Sequence, residues 1–473
     1  MGTINSAFSL ISGALDADQA ALNVVANNVA NANTPGYTEE TPNWQENPPI
    51  TINGVSYGAG VTETGATSVR DRVLTERLDQ QQQLASASGS RLTALNTLQA
   101  LFTPDSGSTS ARAGDIGSDL TSFFSSFSSL EANPTNNALR QQVLSTATTL
   151  AGDVSNAAAS LNSQRSALDQ EASGVTSQVN ALTGAIAQLN RQIQSTSPNA
   201  DAGTLEDQRQ QDLSKLSQLI GINQITTENN GLSITTTTGQ LLVSEGSSFQ
   251  LTTGTVNGVT DFFLGGTDIT SQLTGGGGEL GGYLTARDQD IPNVLSSLDQ
   301  LAYGVSTEVN TLNNAGTDLD GVSGTAANPL YIFNQPTVVA GSAANMSVVM
   351  TDPNQIAAAG LGQGTGDNSN ATAMANLANQ SIVNGQTPTD YYSSFVSTLG
   401  STVSSVQTEN TAQNASVTQL QTQNNALSSV NLNDEASSMT TLERSYQAAS
   451  QVFAMLNTIM ASALNLGDQT TVA

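Results

Sequence analysis

Residues 4–37 read INSAFSLISGALDADQAALNVVANNVANANTPGY, and the spacing of their apolar side chains predicts how the chain is organised. These side chains recur at alternating steps of three and four residues, with one gap near Asp18, and form a narrow stripe along a helix. Thr34-Pro35-Gly36-Tyr37 ends the helix, because proline disfavours a helical conformation in the residue before it. The stripe consists of Ile4, Phe8, Ile11, Leu15, Leu22, Val25, Val29 and Ala32. A stripe this narrow cannot bury itself, so the helix requires a partner.

A matching stripe lies near the other end of the chain. From Met439 onward the apolar residues again step by three and four, without a gap. They are Met439, Leu442, Tyr446, Ala449, Phe453, Leu456, Met460 and Ala463. The two terminal helices are therefore predicted to pair, which brings both chain ends to one pole of the molecule.

Long helical segments fill much of the interior. Residues 139–195 keep a seven-residue repeat of leucine, valine and isoleucine, which is typical of a coiled coil or a long helical hairpin. At about 1.5 Å per residue this segment predicts a rod of roughly 80 Å. Further helices are expected over residues 69–102, 120–130, 205–221, 280–312 and 391–427.

The helical period is lost between residues 222 and 278, where apolar and polar residues alternate instead. Asn230-Gly231 and Asn257-Gly258 are hairpin turn signals, so this segment predicts a small antiparallel β domain. Residues 275–278, four glycines, are expected to form a flexible exit from it. Residues 318–352 are expected to be irregular or β.

The predicted fold class is mainly α with an inserted small β domain, built on a long helical bundle or coiled-coil core with paired terminal helices. Residues 1–37 and 428–473 form the predicted terminal coiled-coil assembly domain. Residues 38–220, 280–320 and 354–427 form the predicted helical rod domain, with a small hairpin excursion after residue 37. Residues 221–279 and 321–353 form the predicted outer β-rich domain.

The charge balance excludes several classes of partner. The 473 residues include 12 Lys and Arg against 39 Asp and Glu, which gives a net charge of −27. Nucleic-acid binding needs a basic stripe and an anionic membrane attracts basic residues, so neither is expected as a partner. The sequence holds no run of about 18 apolar residues, so no membrane span is predicted. The N-terminus does not look like a cleaved Sec signal peptide.

The chain contains no cysteine and no histidine, which excludes disulfides, thiolate nucleophiles, Ser-His-Asp triads and histidine-ligated metals. Carboxylate pairs remain at Asp288 and Asp290, at Asp318 and Asp320, and at Asp434 and Glu435. General acid–base work needs two carboxyl groups in a cleft, and nothing in the sequence indicates one. Asp318-Leu319-Asp320-Gly321 lacks the glutamate that would complete a calcium loop. We therefore expect no catalytic, cofactor or metal site.

A specific family resemblance lies in the run ANNVANANTPGY at residues 26–37, which resembles the N-terminal motif of flagellar rod, hook and hook-associated proteins. The sequences VNLNDEA at residues 430–436 and YQA at 446–448 are similar to the C-terminal end of the hook-associated proteins that form the hook–filament junction. Residues 189–193, 205–209 and 366–371 agree with the same proteins, so the resemblance covers most of the chain.

The resemblance implies a structural role in the bacterial flagellum. By analogy, the chain leaves the cell unfolded through the flagellar export channel, without a cleaved signal peptide and with an export chaperone. Copies of the chain then form a ring with one another between the flagellar hook protein and the second junction protein. Terminal helices line the tube wall, and the β domain lies outside.

The predicted assembly interface consists of both terminal stripes and one asparagine, at which small polar side chains would let helices of neighbouring copies approach. The residues are Ile4, Phe8, Ile11, Leu15, Leu22, Val25, Asn28, Val29 and Ala32, with Met439, Leu442, Tyr446, Phe453, Leu456 and Met460.

Three alternatives remain open. A flagellar hook or distal rod protein would share the first 37 residues, but would not be expected to carry the long heptad segment at 139–195. A secreted carboxylate glycosidase is a remote alternative for an acidic chain without histidine. A free coiled-coil adhesin would bind surface ligands as a purified monomer.

Overall fold

The computed structural model describes residues 2–52, 54–103, 116–196, 201–256 and 258–468. Long helices make up most of it, and short antiparallel strands form small sheets, as the predicted fold class requires. The helices are α1 (Gly2–Asn31), α2 (Arg72–Phe102), α3 (Ile116–Ala132), α4 (Asn137–Thr196), α5 (Thr204–Leu219), α6 (Thr270–Leu273), α7 (Gly278–Thr285), α8 (Ile291–Ala315), α9 (Ser369–Asn376), α10 (Pro388–Ser428) and α11 (Leu432–Asp468). The predicted fold class is confirmed.

The strands fall into two groups. The first follows α1 and contains β1 (Glu40–Glu46), β2 (Ile50–Ile52), β3 (Val55–Tyr57) and β4 (Val61–Ser68). The second follows α5 and contains β5 (Ile222–Thr226), β6 (Leu232–Thr236), β7 (Leu241–Ser244), β8 (Ser247–Ser248), β9 (Leu251–Val256), β10 (Val259–Leu264) and β11 (Thr267–Asp268). In the first group β1 pairs with β4 and β2 with β3; in the second, β5–β8 and β9–β11 form two separate antiparallel sheets.

The 60-residue helix α4 connects two hydrophobic cores. At about 1.5 Å per residue it is about 90 Å long. Its first half, through Leu161 and Leu168, packs in a core with α2, α3, α8, α9 and α10. Its second half, from Ala172 to Ile186, packs with α5, α7 and the second group of strands. The predicted heptad segment is therefore one continuous helix that joins the rod to the β-rich region.

The predicted turn at Asn230-Gly231 is present, and Asn229 and Asn230 adopt positive φ angles of 55° and 57°. Of the second predicted turn, Asn257 lies outside the described residues. The flexible exit expected at the four glycines of residues 275–278 stays a prediction, and Gly278 begins α7. A Cβ on Gly278 would lie 2.3 Å from the backbone nitrogen of Ile220, so glycine is needed for close backbone packing at this position.

The structure places residues 321–353 differently from the predicted domain division. They pack in the helical core and not in the outer β-rich region, where the sequence grouping had placed them. Polar side chains of α8 hold this segment: Asn313 and Asp299 bind its backbone, and so does the buried Asn310. Its Oδ1 accepts hydrogen bonds from the backbone N–H groups of Ile332 and Phe333, both at 3.0 Å, and its Nδ2 donates to the Phe333 carbonyl at 2.9 Å. This amide satisfies backbone groups of a segment that has only one isolated β-bridge, between Phe333 and Val348.

The predicted helix over 280–312 is interrupted. One wide, π-helical turn at Ala286–Asp290 separates α7 from α8. Pro292 lies in the first turn of α8, where its missing N–H group disturbs the regular hydrogen-bond pattern. The turn buries Arg287, whose guanidinium pairs with Asp169 on α4 at 2.6 Å and with Asp288 at 2.8 Å.

Candidate assembly interface

The terminal helices α1 and α11 form an antiparallel pair. Phe8, near the start of α1, meets Phe453 late in α11, with ring centroids 5.1 Å apart and an edge-to-face angle of 74°. At the other end of the pair, the Asn28 side chain donates a hydrogen bond to Glu435 at 2.8 Å. The predicted pairing of the two terminal stripes is therefore present in the structure.

Most of the predicted interface residues lie on this pair, or just after α1 in the case of Ala32, and are only half-buried. They are Ile4, Phe8, Ile11, Leu15, Leu22, Ala32, Met439, Leu442, Tyr446, Phe453, Leu456 and Met460. Val29 is more open, with 40% of its surface exposed. Two helices cannot enclose a seam on all sides, so apolar surface remains open along its edges.

Two predicted interface residues face the interior of the same chain. Val25 is 4% exposed and Asn28 is 1% exposed. The prediction that Asn28 contacts a neighbouring copy is not supported by this placement, because the chain's own groups already use its amide. Asn28 instead connects α1 to α11 and to the first strand within one subunit.

The sequence analysis missed a second packed face of α1. Leu10 and Gly13 lie against Gly60 and Val61, where β4 begins. A Cβ on Gly13 would lie 3.3 Å from the Val61 carbonyl oxygen, and a Cβ on Gly60 would lie 3.4 Å from the Leu10 side chain. Ala17 and Ala21 continue this face and are 4% and 0% exposed. At 100° per residue this face is centred about 130° from the seam. Small residues at positions 13, 17 and 21 are the signal that could have revealed it.

A network of hydrogen bonds fixes the segment that leaves α1, residues 32–39, which we call the elbow. Asn28 Nδ2 donates to the Glu40 carbonyl at 2.8 Å, and Asn28 Oδ1 accepts from the Glu40 N–H at 3.0 Å. The Tyr37 hydroxyl also donates to Asn28 Oδ1, at 2.8 Å. The Asn28 amide therefore uses both donors and both lone pairs.

Burial shifts the titration of the groups around Asn28. Burial raises the pKa of the Glu435 carboxyl, and the hydrogen bond from Asn28 opposes this shift. Burial, together with the negative charges of Glu40 and Asp207, raises the pKa of the Tyr37 hydroxyl. The tyrosine therefore stays protonated and remains a hydrogen-bond donor at any physiological pH.

Hydrogen bonds join the elbow to the rod, and ion pairs of Arg70 lie beside them. Asp207 on α5 accepts hydrogen bonds from the Thr38 N–H at 3.1 Å and the Thr38 hydroxyl at 2.9 Å, and it pairs with Arg70. Arg70 also contacts Glu206 at 3.2 Å. Glu206 and Asp207 are 2% and 5% exposed, so these are buried charges whose mutual geometry sets the position of the elbow.

A further buried carboxylate, Asp79 on α2, lies beside this region. It is 1% exposed. Its Oδ2 accepts hydrogen bonds from the side-chain amides of Gln210 at 2.8 Å and Gln224 at 2.9 Å. Burial raises the pKa of Asp79 to about 6, against the two hydrogen bonds, which lower it. Asp79 thus joins α2 to α5 and β5 through uncharged donors.

The carboxylate pairs singled out in the sequence do not form an acid–base pair in a cleft. Asp288 pairs with Arg287, and Asp290 pairs with Arg91 at 2.8 Å. Asp318 accepts hydrogen bonds from the backbone N–H groups of Asp320 and Val322 within its own loop. Among the described residues there is no group of three or more acidic side chains placed to hold a metal ion. Within the same residues, no helix has the length and apolarity needed to cross a membrane.

Comparison with known proteins gives one consistent result. The family model described as the helical domain of flagellar hook-associated protein FlgK matches residues 106–327, and the model for flagella basal body rod proteins matches residues 11–38. Flagellar hook-associated protein 1 of Salmonella typhimurium is 26% identical over 96% of this chain and 98% of its own length. The chain is therefore similar to flagellar hook-associated proteins along nearly its whole length.

Two further relatives and one solved structure are also similar to this chain. Flagellar hook-associated protein 1 of Escherichia coli is 25% identical over 98% of this chain and 99% of its own length. The protein of the same name from Bacillus subtilis is 25% identical over 96% of this chain and 96% of its own length. The flagellar hook junction protein FlgK of Burkholderia pseudomallei has the same fold, with a TM-score of 0.64 and 18% identity over 73% of this chain and 99% of its own.

The family resemblance inferred from residues 26–37 and 430–448 is thus confirmed. The matched family models and the relatives are all flagellar proteins. The asparagine-rich motif that carries the resemblance is also the part of α1 that the elbow network holds in place.

Proposed function

We propose that this hook-associated chain is a structural subunit of the junction between flagellar hook and filament, and that filament assembly requires it. The observation that carries the proposal is similarity along nearly the whole length to hook-associated protein 1 relatives. A subunit of this kind acts through contacts with its neighbours and performs no catalysis.

The proposed assembly is a ring of identical subunits between the flagellar hook protein and a second junction protein. The half-buried terminal pair supports this arrangement. Its seam leaves apolar edges open, and α11 exposes further apolar side chains, so that neighbouring copies would gain burial by packing on it. In this arrangement both terminal helices line the tube wall, and the β-rich region of residues 221–279 lies outside.

The proposed route is export through the flagellar channel without a cleaved signal peptide, with an export chaperone holding the chain before assembly. Such a route needs a chain that unfolds readily. The absence of cysteine supports the proposal, because no disulfide has to be reduced. An open two-helix seam also buries less apolar surface than a closed core does. The conformational entropy that is lost when the seam becomes ordered is therefore offset less completely.

The test is deletion of the gene that encodes the chain. We expect the deletion strain to build hooks, to lack filaments and to release flagellin monomers into the medium. Electron microscopy of the cell surface and immunoblotting of the medium measure these outcomes, and a plasmid copy of the gene should restore filaments. Normal filaments on the deletion strain would contradict the proposal.

A hook or distal rod protein is the second candidate, since the basal body rod model matches residues 11–38. The same deletion separates the two candidates: loss of the hook as well as the filament would favour the hook or rod role. Hook-associated relatives match 96% or more of this chain, which favours the junction role over the hook or rod role.

A further inference from the structure

A polar cavity lies where the elbow meets the rod, and we call it the joint cavity. Its volume is about 220 Å³, and the elbow, α2, α5 and α10 line most of it. Among its lining residues are Tyr37 and Thr38 of the elbow, Asp79 of α2, Asp207 of α5 and Ser428 at the end of α10. The buried Asp79 therefore borders a space that the rod shares with the elbow.

The helices α1 and α11 and the strands β1–β4 form what we call the terminal part of the subunit. Only two chain segments, residues 69–71 and 429–431, connect it covalently to the rod. The backbone of Glu39 in the elbow bridges them: its N–H donates to the Ser428 carbonyl at 2.9 Å, and its carbonyl accepts from the Val69 N–H at 3.0 Å. No described residue of the terminal part belongs to either hydrophobic core. Its position on the rod therefore depends on polar contacts at the elbow.

Helix α5 relays these polar contacts from α2 to the elbow. Asp207 accepts two hydrogen bonds from the elbow. Gln211 donates from its side-chain amide to the Pro35 carbonyl at 2.9 Å. Between these two residues of α5, Gln210 donates to Asp79 on α2 at 2.8 Å. A displacement of α5 from Asp79 would therefore move the elbow as well.

The groups that contact Asp79 do not neutralise its charge. Its hydrogen-bond donors are the uncharged side-chain amides of Gln210 and Gln224. Arg70 lines the same cavity but pairs with Asp207. The strand β5 and the part of α10 that lines the cavity contribute only uncharged side chains.

Other charged side chains lie beyond the two amides, in a second small cavity that the amides also line. There Arg72 pairs with Glu206 at 3.0 Å, and Arg209 donates to a backbone carbonyl at 2.7 Å. On α2 itself, Glu76 adds a negative charge near Asp79. Burial, together with this charge, raises the pKa of Asp79 to about 6. Asp79 therefore changes its charge over a range of about pH 5 to 7.

The charge state of Asp79 decides whether the joint cavity needs water. A buried carboxylate without a cationic partner is costly, and contact with water lowers this cost. At about 30 Å³ for each water molecule, the cavity has room for several. The buried Ser428 hydroxyl lines the cavity, has no hydrogen-bond partner among the described residues, and is placed to bind one of them. A protonated Asp79 makes no such demand, so its neutral form favours a closed cavity.

We propose that protonation of Asp79 controls how firmly the terminal part is held on the rod. When Asp79 is neutral, α2 and α5 stay packed together, and the elbow keeps the terminal part in one orientation. When Asp79 is charged, water enters the joint cavity, α5 and the elbow move away from α2, and the terminal part takes up a range of orientations. This switch belongs to the single subunit and does not depend on the proposed place of the chain in the flagellum.

Pulsed electron–electron double resonance on the purified full chain tests the switch. The chain has no cysteine, so engineered cysteines take the spin labels selectively. Ser405→Cys on α10 places one label on the rod, and Ser437→Cys on α11 places the other on the terminal part; both positions are exposed. We expect a narrow distance distribution at pH 5, where about a tenth of the native molecules carry the charge, and a broader one at pH 7.5, where nearly all do.

Three control chains identify the group and the movement. Asp79→Asn in the labelled chain should give the narrow distribution at both pH values, because no charge develops. Glu435→Gln removes another carboxyl group beside the elbow and should leave the pH response unchanged. Labels at Ser9→Cys and Gln451→Cys, both exposed and both within the terminal part, should keep one distance at both pH values, because α1 and α11 move together.

Hydrogen exchange gives a second readout that needs no labels. At pH 7.5, peptides covering the elbow should exchange faster in the unsubstituted chain than in Asp79→Asn, and at pH 5 the two chains should exchange alike. Comparing the chains at one pH removes the intrinsic pH dependence of exchange. Peptides from α3, inside the rod core, should show no difference at either pH.

Three results would overturn the switch. One is a rod-to-terminal distance distribution that stays the same between pH 5 and pH 7.5. The second is equal broadening in Asp79→Asn, and the third is loss of the broadening in Glu435→Gln, since another carboxyl group would then be responsible. None of these results bears on the junction role, which deletion of the gene tests separately.

Discussion

The rod core and the terminal pair use the same aromatic contact with different degrees of burial. In the rod, Phe123 and Phe127 meet edge to face at 5.3 Å and both are fully buried. In the terminal pair, Phe8 and Phe453 meet edge to face at 5.1 Å, and both are half-buried. The rod core is closed by helices on several sides, whereas the terminal seam has two. The rod thus carries the stability of the subunit, and the terminal pair keeps apolar surface for its neighbours.

The largest expected effect is on the rod. Phe127→Ala removes a fully buried ring and leaves a cavity beside α4, which should lower the free energy of unfolding by about 3–5 kcal/mol. Chemical denaturation of the purified chain, followed by far-ultraviolet circular dichroism, measures this loss. Phe453→Ala in the terminal pair is the matched control and should cost much less. Equal losses would show that the terminal pair is as closed as the rod.

An intermediate effect is expected at Asp79, where the rod meets the elbow. Its pKa of about 6 lies above the ordinary value of 3.8, so its charged form destabilises the fold. This cost appears as the pH rises above about 4 and is complete above about 6. Asp79→Asn keeps an oxygen that accepts from Gln210 and Gln224 and removes the charge. It should raise the free energy of unfolding by about 1–3 kcal/mol at pH 7.5.

Denaturation at pH 5 and at pH 7.5 measures this effect. The gain from Asp79→Asn should be larger at pH 7.5 than at pH 5, because at the lower pH most of the native chain already carries a proton on Asp79. An equal gain at both values would show that the benefit comes from something other than the buried charge.

The smallest effect on subunit stability is expected in the terminal seam. Leu456→Asp should change the unfolding free energy of the rod by no more than about 0.5 kcal/mol, because the seam residue lies outside the rod core. The same variant should block filament formation, since a carboxylate would lie in the proposed wall of packed helices. Thr458→Asp, on an exposed position of α11, is the control for added charge.

Denaturation of the purified variant and electron microscopy of complemented cells measure the two effects of Leu456→Asp. If the substitution unfolded the whole subunit, the terminal seam would be part of the main core. The comparison between rod and terminal pair would then fail.

The sequence predicted the parts of the fold that depend on local periodicity. The steps of three and four around Phe8 and Phe453 predicted the terminal pair, and the seven-residue repeat predicted α4. Residues 321–353 were misplaced because polar side chains of α8, among them Asn310 and Asp299, hold their backbone, and such isolated side chains leave no periodic pattern. The face of α1 at Gly13, Ala17 and Ala21 was missed because small residues carry a weak hydrophobic signal.

For the candidate interface, the sequence determined which helices form the pair and which stripe each one uses, because a helix repeats its faces every 3.6 residues. It also carried the family motif at residues 26–37. Only the tertiary structure decided that Asn28 faces Glu435 inside the subunit, and that Ile50, Val55 and Tyr57 remain uncovered. Burial depends on which distant segments meet, and those meetings are set by hydrogen bonds and packing between residues far apart in the chain.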